Sequence, residues 1–223
     1  MSLTYDVHGF LKPRFRGRVH LWAIGPMLLA GLILTALAPT GASKISVAVY
    51  AVAITGMLAS SAAYHRAKVS ETTRVWLRRL DHAMIGVAVA GTYTPVVTLV
   101  LDGLLRATLL SLLWTGALGS LVLSFAFPQA PRAIRALVYV ALGWGGAIAM
   151  PWIWTHGGVA AFTCVIVGAL FYTAGAVVYA LRKPNPWPTV FGFHEVFHSL
   201  VLLAAVSHFG AVALVVANAA NAS

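Results

Sequence analysis

The sequence predicts an all-α membrane protein, a bundle of seven transmembrane helices with a cytoplasmic amino terminus and an external carboxyl terminus. Three observations support this prediction: 60% of the 223 residues are hydrophobic, only 9% are charged, and the mean hydropathy is +0.87. Soluble domains carry about 25% charged residues, so lipid rather than water is the main solvent of this surface. The length fits one bundle, and the single cysteine, Cys164, allows no intrachain disulfide.

Seven apolar runs make up the expected transmembrane domain, residues 20–217, after a basic cytoplasmic segment at 1–19 and before a short polar tail at 218–223. Each run is near the length of about 20 residues that a helix needs to cross the hydrocarbon core. None shows the apolar and polar alternation of barrel strands, so helices are predicted. The runs lie at 20–38, 44–65, 80–101, 104–127, 133–153, 158–181 and 190–217.

Turn-forming or charged residues separate these runs in order along the chain. The breaks are Pro39 with Gly41, the charged stretch 66–79, Asp102 with Gly103, Pro128 with Pro131, His156 with Gly157 and Gly158, and the prolines at 184, 186 and 188. A cleaved signal peptide ending near Ala36-Leu37-Ala38 is an alternative for the first run, but its apolar stretch is longer than a typical signal core.

The distribution of basic residues orients the bundle. With the amino terminus inside, the cytoplasmic segments hold 13 of the 15 Lys and Arg residues, and the outer segments hold only Lys44 and Arg106. Because basic residues are retained in the cytoplasm, seven spans fit better than six or eight. The net charge of +10 therefore reflects membrane topology. We expect membrane lipid as a partner and no nucleic acid, since no basic face is interleaved with aromatic residues.

Ionisable side chains within the spans are the candidates for function, because burying them in a membrane is costly. His65 ends the second run, Asp81 opens the third, and His194 and His198 open the seventh. In a chain that crosses seven times, all of these positions fall at the cytoplasmic end of the bundle. The topology therefore predicts that residues distant in sequence meet at one membrane level.

The spacing of these residues predicts a zinc site. His194 and His198 are four residues apart and so share one helical face, as do Ser61 and His65. Three imidazoles suit a tetrahedral Zn²⁺ whose fourth position stays open for water. Asp81 would hold and deprotonate that water, and Ser61 would donate a hydrogen bond to the water or to a developing oxyanion.

The remaining histidines have weaker signals. His82 faces about 100° away from Asp81 and is expected beside the ligands or at the interface. His208 lies ten residues past His198, about 15 Å deeper, which is too far for a ligand but suitable for lining a cavity. We expect ordinary interfacial or packing roles for His20, His156 and His8.

The motif at the start of the seventh run is also compatible with a zinc protease. The string from His194 to His198, with Glu195 second, matches the His-Glu-x-x-His pattern, and Leu101-Asp102-Gly103 resembles a motif of intramembrane metalloproteases. The topology places Asp102 at the outer face and the histidines at the inner face. The order along the chain is also reversed, so the intramembrane metalloprotease is the less favoured alternative.

Four motifs, at 61–65, 80–82, 90–95 and 194–198, carry a resemblance to a known family. They read Ser-Ala-Ala-Tyr-His, Leu-Asp-His, Ala-Gly-Thr-Tyr-Thr-Pro and His-Glu-Val-Phe-His, with His208 downstream. In this order they resemble the hemolysin III branch of the progestin and adipoQ receptor family, which includes adiponectin receptor-like proteins. The match covers roughly residues 58–95 and 190–210, and the seven-span layout agrees along nearly the whole chain.

The resemblance implies a seven-helix fold with a cytoplasmic-side Zn²⁺. By the motif match, its ligands would be His65, His194 and His198, with Asp81 and Ser61 as partners of the water. Similarity to adiponectin receptors and alkaline ceramidases implies hydrolysis of a lipid amide such as ceramide. Glu195 and His208 also match the family pattern, without an assigned role.

The expected function is therefore that of a zinc-dependent integral membrane hydrolase acting on a lipid amide or ester. A receptor-like or cytolytic membrane protein with a structural zinc is the alternative, since the haemolysin label implies cytolysis. An ion or solute transporter is disfavoured, because no span carries an acidic or basic residue in mid-membrane.

Overall fold

The structure is a computed structural model that describes residues 13–222, and within this range the chain is almost entirely helical. Residues 1–12 of the basic amino-terminal segment, including His8, lie outside the described residues. The main helices are α1 (Arg18–Leu37), α2 (Gly41–Arg66), α3 (Glu71–Val100), α4 (Gly103–Ala126), α5 (Arg132–Gly145), α6 (Gly158–Leu181) and α7 (Phe193–Ala222). Between α5 and α6 the chain passes through short irregular helical turns, Gly146–Ala149, Met150–Trp152 and Ile153–Gly157.

Side-chain caps fix where α2 and α3 begin. Thr40 and Ser43 form a reciprocal capping box at the start of α2. The Ser70 hydroxyl accepts a hydrogen bond from the Thr73 amide, so α3 begins at Glu71, nine residues before the expected apolar run. The basic stretch before that run therefore belongs to the helix, because a capped helix start tolerates charged residues on its solvated turns.

Six helical segments in the described part of the chain are long and apolar enough to cross a membrane. Five are α1, α2, α3, α4 and α7, and the sixth is the 50-residue stretch Arg132–Leu181, which contains both α5 and α6. This stretch folds back on itself: Trp144 Nε1 donates a hydrogen bond to Thr173 Oγ1 at 3.2 Å, and the Arg132 guanidinium lies 5.7 Å from the Tyr179 ring centroid. The helices α5 and α6 thus lie side by side and antiparallel.

The helix α3 is central, since it contacts α2, α4, α5 and α7. Small residues allow these close approaches. A Cβ atom placed on Gly91 would lie 2.4 Å from Ala53 Cβ on α2, and one on Gly86 would lie 2.6 Å from Ser120 on α4. Such small-residue contacts are how helices pack tightly in lipid, where no hydrophobic force draws them together. These close approaches hold α3 in the middle of the bundle, and Asp81 is buried there, ten residues after the start of the helix.

Both ends of the described chain pack against the bundle. Residues 13–17, which we call the strap, cross the loop before α7: the Arg14 and Phe15 amides donate hydrogen bonds to the carbonyls of Thr189 and Val190. At the other end, α7 continues to Ala222, so most of the expected polar tail is helical. Asn218 Nδ2 donates a hydrogen bond to the Gly157 carbonyl at 2.9 Å.

Candidate metal centre

Three histidines from two helices meet at one end of the bundle. His65 lies in the last turn of α2, and His194 and His198 lie in the first two turns of α7. One ring nitrogen from each lies within 4.8 Å of the others, and His65 Nε2 and His194 Nε2 are 3.0 Å apart. Three nitrogens bound to a tetrahedral zinc at about 2.0–2.1 Å lie about 3.3 Å apart. The structure therefore brings together the three ligands that the sequence predicts, in an arrangement that suits a metal ion.

The surroundings of His198 test whether these residues fit a metal. Its side chain is buried, and its Nε2 atom has no hydrogen-bond partner in the part of the chain that the structure describes. A buried polar atom without a partner costs about 1–3 kcal/mol, and coordination of a cation would offset this cost. Imidazole nitrogens in a set of three are ligands that Zn²⁺ accepts readily. The donor set thus fits a divalent cation of this type.

Asp81 and Ser61, the two predicted partners of a metal-bound water, share a cavity with two of the histidines. Both side chains are buried and line the same cavity as His194 and His198. Ser61 stands one turn before His65 on α2, and the Asp81 carboxylate on α3 faces it. Among residues 13–222, no hydrogen-bond partner lies within 3.5 Å of the buried Ser61 Oγ. A carboxylate and a hydroxyl are thus available to a polar group bound beside the three imidazoles.

The cavity that contains these groups is long and largely apolar. Its volume is about 100 Å³, several times what a single buried water needs. Asp81, Ser61 and the histidine pair form its polar end, and side chains such as Val89 and Val201 form its walls. The lining reaches from His194 to His208, 14 residues along α7 or about 21 Å. This shape suits an amphipathic molecule whose polar group lies at the histidines.

His208 and His82 both line the cavity without joining the ligands. His208 stacks on Tyr172 at 5.6 Å between ring centroids, and lies against Gly168. Arg135 Nη1 donates a hydrogen bond to His82 Nδ1 at 3.3 Å, which connects α3 to the start of α5. His82 is therefore tied to a buried arginine next to the site.

Glu195 anchors the strap rather than facing the histidine cluster. Arg16 Nε donates a hydrogen bond to Glu195 Oε1 at 2.6 Å, and the Gly192 amide donates to Oε2 at 2.9 Å. Since both oxygens are engaged, Glu195 is not placed as the general base of a His-Glu-x-x-His protease. The Asp102 carboxylate, at the opposite end of α3, is exposed and pairs with Arg106 at 3.6 Å. The arrangement gives no support to the metalloprotease alternative.

The strap also covers one side of the site. Gly17 has a φ of 73°, and a Cβ atom on it would lie 2.7 Å from His65 Cβ. Only glycine adopts this left-handed conformation without strain and leaves room for the histidine. The contact places the chain just before α1 directly against a candidate ligand.

Sequence reasoning missed His20, for which an ordinary interfacial role is expected. The structure buries it against His198, whose Nδ1 atom lies 2.9 Å from His20 Nδ1 and 3.0 Å from His20 Nε2. The signal was present in the sequence: His20 opens the first run at the same membrane level as the other site residues. Because His20 is far in sequence from the other site residues, no spacing motif connects it with them.

Comparisons with known proteins cover most of the chain. A family model described as "Haemolysin-III related" matches residues 8–209. The "Hemolysin-3 homolog" of Bacillus subtilis (strain 168) is 30% identical over 158 residues, which is 71% of this chain and 71% of the relative. "Hemolysin-3" of Bacillus cereus is 29% identical over 123 residues, or 55% and 53% of the two chains. "Heptahelical transmembrane protein ADIPOR2" of Oryza sativa subsp. japonica is 32% identical over 176 residues, or 72% and 76%.

Proposed function

This chain belongs to the haemolysin III-related family, and we propose that it is an integral membrane hydrolase that uses Zn²⁺ to cleave a lipid amide or ester. One observation carries the proposal. Three imidazoles from α2 and α7 come together, and two of them, His194 and His198, line the polar end of an apolar cavity with the Asp81 carboxylate and the Ser61 hydroxyl. A lipid offers the matching combination of a polar carbonyl linkage and a long apolar chain.

The proposed topology has seven spans, an amino terminus in the cytoplasm of a bacterial cell, and the metal site near the inner leaflet. The distribution of basic residues and the antiparallel packing of α5 against α6 support it. Single-cysteine variants in a Cys164→Ser background test it. In intact cells a membrane-impermeant maleimide should label Asp102→Cys but not Lys68→Cys, and permeabilisation should expose both. The reverse pattern would overturn the orientation.

His65, His194 and His198 would hold the ion, which supplies Lewis-acid polarisation of the scissile carbonyl and an activated water. Asp81 would accept the proton of the attacking water and return it to the leaving nitrogen or oxygen. Ser61 Oγ, which is buried in the cavity lining, would donate a hydrogen bond to the oxyanion. The products are a carboxylic acid and an amine or alcohol, so atoms and protons balance.

The cavity would position the substrate for this chemistry. Its apolar walls would hold the acyl chain and place the carbonyl at the polar end. Burial of the chain excludes water from all but the reacting group, and orientation of the carbonyl beside Asp81 lowers the entropic part of the barrier.

The test combines zinc content with turnover of a ceramide that carries a fluorescent acyl chain, in purified full-length protein. We expect wild type to hold one Zn²⁺ and to release the labelled fatty acid. His194→Ala should lose the zinc, whereas Asp81→Asn should keep it and lose turnover by roughly 10²- to 10⁴-fold. His156→Ala, at an exposed histidine, is the matched control and should change neither. Zinc retained in His194→Ala, or full turnover in Asp81→Asn, would remove the mechanism.

The names of the two Bacillus relatives favour a second candidate, a cytolytic membrane protein whose zinc is structural. A structural zinc is usually closed by four protein ligands, and a set of three imidazoles, two of which line a cavity, supports catalysis instead. Release of haemoglobin from erythrocytes separates the two. Lysis that persists in Asp81→Asn but is lost in His194→Ala would favour the structural role.

A further inference from the structure

The contact between His20 and His198 joins α1 to the metal centre. His198 Nδ1 lies within hydrogen-bond distance of the His20 ring, and the ring centroids are 4.1 Å apart at an interplanar angle of 75°. Both side chains are buried, and His20 is only 2% exposed. Bulk water therefore does not compete for this hydrogen bond.

The two nitrogens of His198 have different surroundings, and this difference assigns their roles. Nδ1 contacts His20, whereas Nε2 is buried and has no hydrogen-bond partner among the described residues. A neutral imidazole carries one N–H and one lone pair, so a hydrogen on Nδ1 leaves the lone pair on Nε2. Histidines that bind metals commonly donate their other ring N–H to a fixed acceptor, which sets the tautomer and the ring orientation.

We propose that His20 is a positioning residue that accepts a hydrogen bond from Nδ1–H of His198 and so presents Nε2 to the metal. The inference rests on metal binding as set out under the proposed function, and it adds α1 to the machinery. His20 itself stands outside the three-histidine group whose nitrogens lie within 4.8 Å. His20 contacts Nδ1 of His198, whereas Nε2 is the nitrogen that would bind the metal. His20 therefore acts through His198 rather than as a fourth ligand.

The choice of an imidazole as acceptor has a consequence for charge. The acceptor behind a metal-bound histidine is often a carboxylate, which adds negative charge and makes the ligand more basic. An imidazole acceptor orients His198 without bringing a negative charge to the metal centre. The nearby Glu195 does not supply this charge, because Arg16 neutralises it.

Two nearly isosteric substitutions separate positioning from packing. His20→Met removes the strong acceptor while a flexible side chain fills the space, and His20→Gln has almost the same shape but restores a carbonyl acceptor. Met27→Ala is the packing control, since Met27 is buried two turns further on the same face of α1. Each full-length variant is titrated in detergent with Zn²⁺ against a competing chelator, and with Co²⁺, whose visible spectrum reports the ligand geometry.

We expect His20→Met to bind Zn²⁺ about 10- to 100-fold more weakly than wild type and to show an altered Co²⁺ spectrum. His20→Gln should recover most of the affinity and the wild-type spectrum, and Met27→Ala should keep both. Unchanged affinity in His20→Met overturns the proposal, as does equal weakening in all three variants. A Co²⁺ spectrum or metal-edge scattering that counts four imidazoles in wild type overturns it too, because His20 would then be a ligand.

These outcomes are independent of hydrolysis. A wild-type protein that binds Zn²⁺ but does not cleave the ceramide refutes the proposed function and leaves the role of His20 standing. A wild-type protein that binds neither Zn²⁺ nor Co²⁺ overturns both.

Discussion

The buried ion pair between Arg16 and Glu195 makes the sharpest prediction about stability. It joins the strap to the first turn of α7, one residue after the candidate ligand His194. Arg16→Met removes the cation but keeps much of the apolar stem of the side chain. We expect this variant to be destabilised far more than the loss of one surface charge would suggest.

The structure sets the magnitude. The Glu195 side chain is 1% exposed and that of Arg16 is 10% exposed, with 2.6 Å between Nε and Oε1. Without Arg16, the Gly192 amide is the one hydrogen-bond donor that the described residues, 13–222, still offer to the carboxylate. Breaking a buried pair from one side costs about 3–5 kcal/mol, and the slight exposure of Arg16 places the expected loss near the lower value, about 3 kcal/mol.

The assay is unfolding of the purified protein in mixed micelles, with a double-variant comparison. Replacing both members, as in Arg16→Met with Glu195→Gln, removes the uncompensated charge, so the double variant should be more stable than Arg16→Met alone. The exposed pair of Glu71 and Arg74 is the matched control, and Arg74→Met should cost less than about 1 kcal/mol. The reasoning is refuted if the double variant is no more stable than the single one, or if Arg16→Met behaves like Arg74→Met.

Three further variants test the close contacts around the site. Gly17→Ala should destabilise the fold by about 1–3 kcal/mol, measured by thermal unfolding, because it forces alanine into a left-handed conformation against His65. Gly168→Ala places a Cβ atom 2.6 Å from His208 Nε2, so the ring should swing into the cavity. We expect turnover of long-chain amides to fall more than that of short-chain amides, with little loss of stability. Arg135→Met removes hydrogen bonds to two carbonyls and one imidazole, and should lower the free energy of unfolding by about 1–3 kcal/mol.

Each of these variants has a control in the same chain. Gly25→Ala on α1 meets no atom within 4 Å and should be neutral or slightly stabilising. Gly175→Ala on α6 meets only ordinary contacts at 3.5 Å and should leave chain-length preference unchanged. Arg74→Met is again the control, here for Arg135→Met. A destabilised Gly25→Ala, or equal effects at 168 and 175, would contradict the steric argument.

The helices and the spacings within the candidate metal site follow from sequence alone, because both depend on local geometry. The expected run at 158–181 coincides with α6, and the other runs differ from their helices mainly at the ends. The largest shift is at α3, where the Ser70 cap begins the helix inside a charged stretch that hydropathy excludes. The spacing of His194 and His198, and that of Ser61 and His65, needs only the helical period of 3.6 residues.

Only the tertiary structure decides which helices touch and which side chains pair. Sequence places His65 and His194 at one membrane level, but the 3.0 Å between them depends on how α2 and α7 pack. The same packing places His20 against His198 and pairs Arg16 with Glu195. Periodicity fixes the positions of residues along and around one helix. Contacts between helices depend instead on many close approaches of small residues across the whole bundle, and no single sequence motif encodes them.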